Sequence, residues 1–228
     1  MLRELLSIFR SDDPLGAMGE NFTQMLALTR AMTVAAGDMY FNGAASPEER
    51  SRIYEQDIEV NKLQRVIRKQ VVTHLAVRRK HSDVPYCLFL MSLVKDVERL
   101  GDYAKNLTEI MDFRPGPLPE NEIVTELRTV REGVENAFRE AAQVFDTSDR
   151  ERALRFIREG RDMGKRCDAL IRRTASESYD SQTTTALVLG ARYYKRIWAH
   201  VLNVLTSVVM PVHKLDYFDE DEIHRQAG

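Results

Sequence analysis

Glycine and proline are scarce in this chain, 11 and 7 among 228 residues, where ordinary usage would give about 27 of the two together. That scarcity excludes a sandwich or barrel of many short strands and favours long helices. Cysteine is nearly absent. Cys87 and Cys167 lie far apart, with no CxxC and no histidine at zinc-finger spacing, which excludes a disulfide framework and a structural zinc site. They are expected as two small core residues in a reducing compartment. Neither sign of charge is in excess. Lys and Arg number 33 against 35 Asp and Glu, which excludes nucleic-acid binding by bulk positive charge. No apolar run reaches the ~20 residues of a membrane span. The most apolar stretch, Ile197–Met210, includes His200, Asn203, Thr206 and Ser207 and is expected as a buried helix. With no targeting signal in its first residues, the chain is expected in the cytoplasm, peripheral to the inner membrane only through partners.

What the chain does have is periodicity. Six segments, about 17–41, 47–80, 84–112, 120–145, 148–177 and 182–210, repeat apolar residues at helical spacing, and none alternates like a strand. Ser46-Pro47-Glu48-Glu49 is the clearest start, a first-turn proline behind an N-cap. The third segment carries the stripe Leu90, Leu93, Val97, Leu100, Ala104, Leu107 and Met111. The sixth repeats it with Leu187, Gly190, Tyr194, Ile197, Val201, Val204 and Val208. Both stripes demand burial against other helices.

Segments one to three start about 100 residues before segments four to six, the mark of an internal repeat. Aligning Glu98-Arg99-Leu100 with Lys195-Arg196-Ile197 also sets Asn106 opposite Asn203. The expected fold is therefore all-α, two tandem pseudo-repeated three-helix units. The first covers 1–112 with a short N-terminal helix, and the second covers 120–212. Between them 113–119, with three prolines, forms a stiff spacer. An acidic tail follows at 213–228.

Glu98 and Asp102 stand four apart in the third segment and share a helix face. Two like charges at that spacing cost a few tenths of a kcal/mol in an isolated helix. Compensation must come from a bound cation or from nearby basic side chains, and Lys95 and Lys105 lie on the same sector. A solvated, self-neutralising face is the plainer reading. In the second segment Asp57, Asn61, Gln64 and Arg68 form a polar stripe. If it faces Glu98 and Asp102, three carboxylates and an amide meet, a donor set for magnesium, manganese or iron rather than a soft metal. The chain has no Glu-x-x-His, so a ferritin-type di-iron site is not expected.

The run Asp57-Ile-Glu-Val-Asn61-Lys-Leu-Gln, followed by Val97-Glu-Arg-Leu-Gly-Asp102-Tyr-Ala-Lys-Asn106-Leu, resembles the PhoU family of phosphate-uptake regulators. The resemblance implies a PhoU-like helical bundle and a non-enzymatic regulator of bacterial phosphate uptake and phosphate-starvation signalling. It implies as partners a membrane phosphate transporter and its sensor histidine kinase. Self-association as a homodimer through exposed heptad faces is also expected, and, for lack of stacking aromatics and a recognisable motif, no nucleic acid. Some members hold metal clusters through Glu/Asp-x-x-x-Asp motifs. Carried over, this implies Asp57, Glu98 and Asp102 as metal ligands for iron, zinc or magnesium in the first repeat only. The second repeat departs from the motif, with Lys195 for Glu, Trp198 for Gly and Ala199 for Asp, and Asp162 as a weak counterpart of Asp57. Lys195 is expected to pair with an acid in place of a metal's charge. The departure also raises a second expectation, an accessory protein of a low-affinity or sodium-coupled phosphate transporter. A metal-dependent helical enzyme is the alternative of a different class.

Other features have plainer readings. The fifth segment is rich in arginine and is expected to be neutralised by pairs within its own helix. Arg78, Arg79, Lys80 and His81 close the second segment, where cations suit a helix C-terminus. Leu2, Leu5, Leu6 and Phe9 make a short apolar face expected to cap the bundle. The tail, five acids against two bases, reads as a frayed end, with cation binding or docking to a basic partner as its other uses.

Overall fold

Six helices run through the described part of the chain: α1 Pro14–Asn42, α2 Pro47–Arg78, α3 Val84–Glu109, α4 Glu122–Thr147, α5 Arg150–Ser176 and α6 Ser181–Thr206. This is a computed structural model that describes residues 14–78, 80–147 and 149–211. The short N-terminal helix, with Leu2, Leu5, Leu6 and Phe9, and the acidic tail lie outside the described residues.

Local chemistry sets the starts. Ser46 Oγ accepts from the Glu49 amide at 3.2 Å while Glu49 Oε2 accepts from the Ser46 amide at 2.7 Å, a full capping box. Asn121, Asp149 and Asp180 cap α4, α5 and α6 through their side-chain oxygens. Asp83 precedes Pro85 but caps nothing. It is buried, and its carboxylate accepts from His74 Nε2 at 2.8 Å.

Within α1–α3 every helix packs on the other two, and the same holds for α4–α6; across the halves α3 packs on α6 and α1 on α4. Both apolar stripes are buried along their length except Met111 at the end of the first. The halves therefore share one core. Ile197–Met210 contributes to it through Ile197, Val201, Val204 and Val208, and no described helix is long and apolar enough to cross a membrane. Both cysteines are buried free thiols, pushed up by desolvation to about 11 at Cys87 and about 12 at Cys167.

The proline-rich link is a strap tied to the end of α1 rather than a free spacer. The Gly116 amide donates to Gly43 O at 2.9 Å and the Leu118 amide to Phe41 O at 3.3 Å, with Leu118 buried. Gly43 and Gly116 adopt φ of 61° and 90°, the left-handed region where a side chain is strained. At Gly43 a Cβ would also meet the Gly116 carbonyl at 1.6 Å.

Three arginines of α5 pair across helices, a different outcome from pairing within α5. Arg152 reaches Glu140 of α4. Arg166 and Arg173 reach Glu126 at 3.8 and 2.7 Å. Among the described residues, Arg155 pairs within α5, with Glu159 at 3.9 Å.

Candidate functional site

Antiparallel packing of α2 on α3 brings the two polar stripes face to face. Gln64 Nε2 donates to Val94 O at 3.3 Å, and about two turns further along Asp57 meets the third helix at Gly101 and Lys105. Lys105 Nζ lies 3.2 Å from Asp57 Oδ2 and 3.6 Å from Asp102 Oδ1. Asn61 Nδ2 approaches Asp57 Oδ2 at 3.4 Å. Asp102 is held from its other side by Arg99 at 3.0 Å, and Glu98 lies 3.8 Å from the same guanidinium. Asp57, Glu98 and Asp102 thus belong to one seam. Compensation comes from basic side chains, Lys105 and Arg99; Lys95 is exposed and makes no ion pair among the described residues.

The seam's electrostatics follow from its burial. Desolvation, then the charges of Asp102 and Asp57, push the Glu98 carboxyl above its ordinary value, with Arg99 and Arg68 opposing. Lys105 is partly desolvated, which disfavours its charge, yet its contact with Asp57 holds it above the usual lysine value. Asp57 Oδ1 is buried with no hydrogen-bond partner among the described residues. At Gly101, a Cβ would lie 3.6 Å from this oxygen and 3.5 Å from Met32 Cε, so α3 runs close over Asp57.

The donor chemistry of this seam suits a hard cation, and Asp57 Oδ1 is a free ligand atom. The positions, however, are those of a cluster neutralised by its own ammonium. Among the described residues no group of three or more His, Cys, Asp or Glu side chains is arranged to hold a metal ion.

In the second half Lys195 Nζ meets Asp168 at 2.7 and 2.6 Å, contacting both carboxylate oxygens. An ammonium does pair with an acid here, but the acid is Asp168; Asp162 is exposed. Trp198 occupies the place of Gly101 in the repeat alignment, and glycines on the facing helices make room for it. A Cβ on Gly160 would stand 2.4 Å from Trp198 Nε1, and one on Gly133 3.1 Å from its ring.

One polar junction escaped the sequence analysis. Asp96 of α3, buried, accepts from His200 Nδ1 and from Asn203 Nδ2 of α6, each at 2.8 Å, on a single oxygen. Tyr103 stacks on His200 at 5.8 Å and meets Tyr193 at 6.0 Å. His200 and Asn203, three apart on α6, had appeared only as remnants of the repeat. An aspartate on an otherwise apolar sector of α3 was the available signal.

A class emerges: an all-α protein of two interlocked three-helix units, with an acid–lysine seam between the second and third helices of each. Residues 22–111, which contain the whole first seam, match the sequence model of the family described as the PhoU domain. Among solved structures, PhoU from Pseudomonas aeruginosa superposes with a TM-score of 0.77 at 18% identity, over 89% of this chain and 96% of that one. The phosphate transport system regulatory protein PhoU from Streptococcus pneumoniae does so with 0.74 at 16%, over 89% and 94%. The fold of the described residues is thus that of the PhoU helical bundles. No curated protein matches the sequence.

Proposed function

We propose that this chain is a regulator of phosphate uptake and phosphate-starvation signalling, acting through contact with a membrane phosphate transporter and its sensor histidine kinase. The supporting observation is the PhoU domain at 22–111, with Asp57, Glu98, Gly101 and Asp102 of its motif gathered in one seam. The action is regulatory rather than enzymatic, at the cytoplasmic face of the membrane and as a homodimer. Such a regulator works by binding one state of its partner better than another, since only differential affinity moves an equilibrium.

Two subsidiary readings accompany it. Iron, zinc or magnesium at Asp57, Glu98 and Asp102 would take the place of the Lys105 ammonium, with Asp57 Oδ1 as the first available ligand atom. The lysine-locked second seam favours the accessory role at a low-affinity or sodium-coupled transporter as the second functional reading. The deciding experiment is deletion of the gene in its own host with an alkaline phosphatase reporter in phosphate-rich medium. Reporter activity despite ample phosphate is the expected result. A silent reporter with altered phosphate uptake would favour the accessory role, and no change in either would overturn the phosphate assignment.

A further inference from the structure

Residues 60–82 contain seven Lys and Arg and no Asp or Glu, the longest unbalanced charge in the described helices. Of these, Lys80 pairs with Asp83 at 3.5 Å and Arg68 acts on Glu98 of α3. Arg65, Arg68 and Lys69 make no ion pair among the described residues, and Lys62 reaches only Glu59, at 3.3 Å. Lys62, Arg65, Lys69 and Val72 recur at the 3–4 spacing of a single helix face, and all four are exposed. Val66, Val72 and Val77 on this surface are 43%, 62% and 74% exposed. At its end a cavity of ≈ 280 Å³ opens between α1 and α2, walled by Pro14, Met18, Lys69, Thr73, His74 and Val77. Unpaired cations, bare valines and an apolar cavity together fit an acidic segment that carries a large apolar side chain.

The chain supplies one. Past Pro211 it continues with Asp216-Tyr-Phe-Asp-Glu-Asp-Glu222-Ile, five acids against two bases over 213–228, residues outside the described part. The packing puts its origin at the correct end of the bundle. Pairings of Asn21 with Gln70, Gln64 with Val94 and Asp96 with Asn203 show α1 antiparallel to α2, α2 to α3 and α3 to α6. The end of α6 therefore lies level with the cavity and the basic half of α2. Two helix spacings separate them laterally, about 20 Å. Seven residues from Pro211 to Phe218 span up to about 24 Å when extended.

We propose that the basic face of α2 and its cavity receive the acidic segment 213–228 of the same chain. An aromatic ring of Tyr217 or Phe218 fills the cavity, and Asp219–Glu222 lie along Lys62, Arg65 and Lys69. This assignment rests on charge, cavity and chain length, and stands or falls independently of the phosphate reading.

Zero-length carbodiimide coupling of the full chain, read by peptide mass spectrometry, tests it. Lys62 or Lys69 should couple to a carboxylate within Asp219–Glu222 in the monomer-sized product. The yield should fall at least fivefold in 0.5 M salt and in the variants Arg65→Glu and Val77→Asp, both at exposed positions that leave folding intact. Tail carboxylates coupling equally to Lys95 or Lys165, or to no lysine at all, would overturn the proposal. So would coupling found only in dimer-sized product, which would seat a second copy's tail there. Coupling of Asp12 or Asp13 to Lys69 in place of the tail would give the cavity to the N-terminal segment instead.

Discussion

Gly190 to alanine sets two effects of known size against each other. On helix propensity alone the substitution in α6 should stabilise the chain by about 1 kcal/mol. The structure reverses that sign. A Cβ on Gly190 would fall 2.1 Å from Tyr40 Oη and 2.4 Å from Tyr40 Cζ. Tyr40 cannot yield cheaply. Its ring is 2% exposed, packs edge-on against Phe41 at 5.0 Å, and donates its hydroxyl to Ala186 O at 3.0 Å. Restoring an ordinary carbon–oxygen contact moves Oη by more than about 1 Å and breaks that bond, at about 1–3 kcal/mol for a buried unsatisfied hydroxyl. Forcing the ring against its neighbours adds about 1–3 kcal/mol. Subtracting the propensity gain leaves Gly190→Ala about 1–5 kcal/mol less stable.

Urea denaturation of the variant measures this directly, and Gly164→Ala provides a control of opposite sign. Gly164 also lies inside a helix, α5, but its Cβ would meet nothing closer than Lys195 Cε at 4.0 Å. There propensity acts alone, and the variant should gain up to about 1 kcal/mol. Equal, stabilising shifts from both substitutions would refute the close approach of α1 to α6 at this point.

Three further outcomes follow from the seams and the junction. Asp96→Ala strands the His200 and Asn203 donors and should cost about 2 kcal/mol; a double-mutant cycle with His200→Ala should give about 1 kcal/mol of coupling, and strict additivity would count against the junction. Glu98, with its carboxyl raised by desolvation and by Asp102 and Asp57, keeps its proton longer in the folded chain than in the unfolded one. Its contribution is therefore full below the ordinary carboxyl pKa and lost as pH rises through the raised one. Glu98→Gln should then match the parent near about pH 4 and exceed it at neutral pH by a few tenths of a kcal/mol, with equal stability at both pH values arguing against the raised carboxyl. Lys195→Glu, placing a second acid beside Asp168, should raise bound iron, zinc or magnesium in elemental analysis, and unchanged content would deny that Lys195 stands for a metal's charge.

The sequence was most informative where one helix suffices. Helical periodicity, the Ser46–Glu49 box and the two apolar stripes depend on neighbours within a few residues, and each is found in the structure. The first seam was also legible, because Glu98 and Asp102 at i, i+4 needed a countercharge and Lys105 stood on the same sector. What stayed hidden depends on pairs brought together by packing. Asp96 meets partners more than 100 residues away, and nothing near it in the chain predicts them. The α5 arginines look self-sufficient in sequence because Glu151, Glu159, Asp162 and Asp168 lie among them, yet Arg152, Arg166 and Arg173 choose α4 acids. Trp198 in a glycine's place looked like a lost contact; the compensating glycines, Gly133 and Gly160, sit on other helices.

The two seams answer one electrostatic problem in different ways, and the difference constrains how the molecule can respond. At Asp168 a single ammonium contacts both carboxylate oxygens, so the acid is satisfied and its charge balanced by a group that cannot leave the chain. At Asp57 one ammonium serves two carboxylates, and one buried oxygen remains without a partner. A buried unpaired oxygen carries a standing cost of about 1–3 kcal/mol, which a proton on the seam or an exchanged cation can reduce. Glu98 is raised by desolvation and by the charges of Asp102 and Asp57. The first seam, within residues 22–111, therefore keeps an unsatisfied acceptor, while Lys195 satisfies the acid of the second. Because α3 packs on α6 as well as on α2, a change in the first seam reaches the other half through the helix that carries Glu98, Asp102 and Asp96 alike.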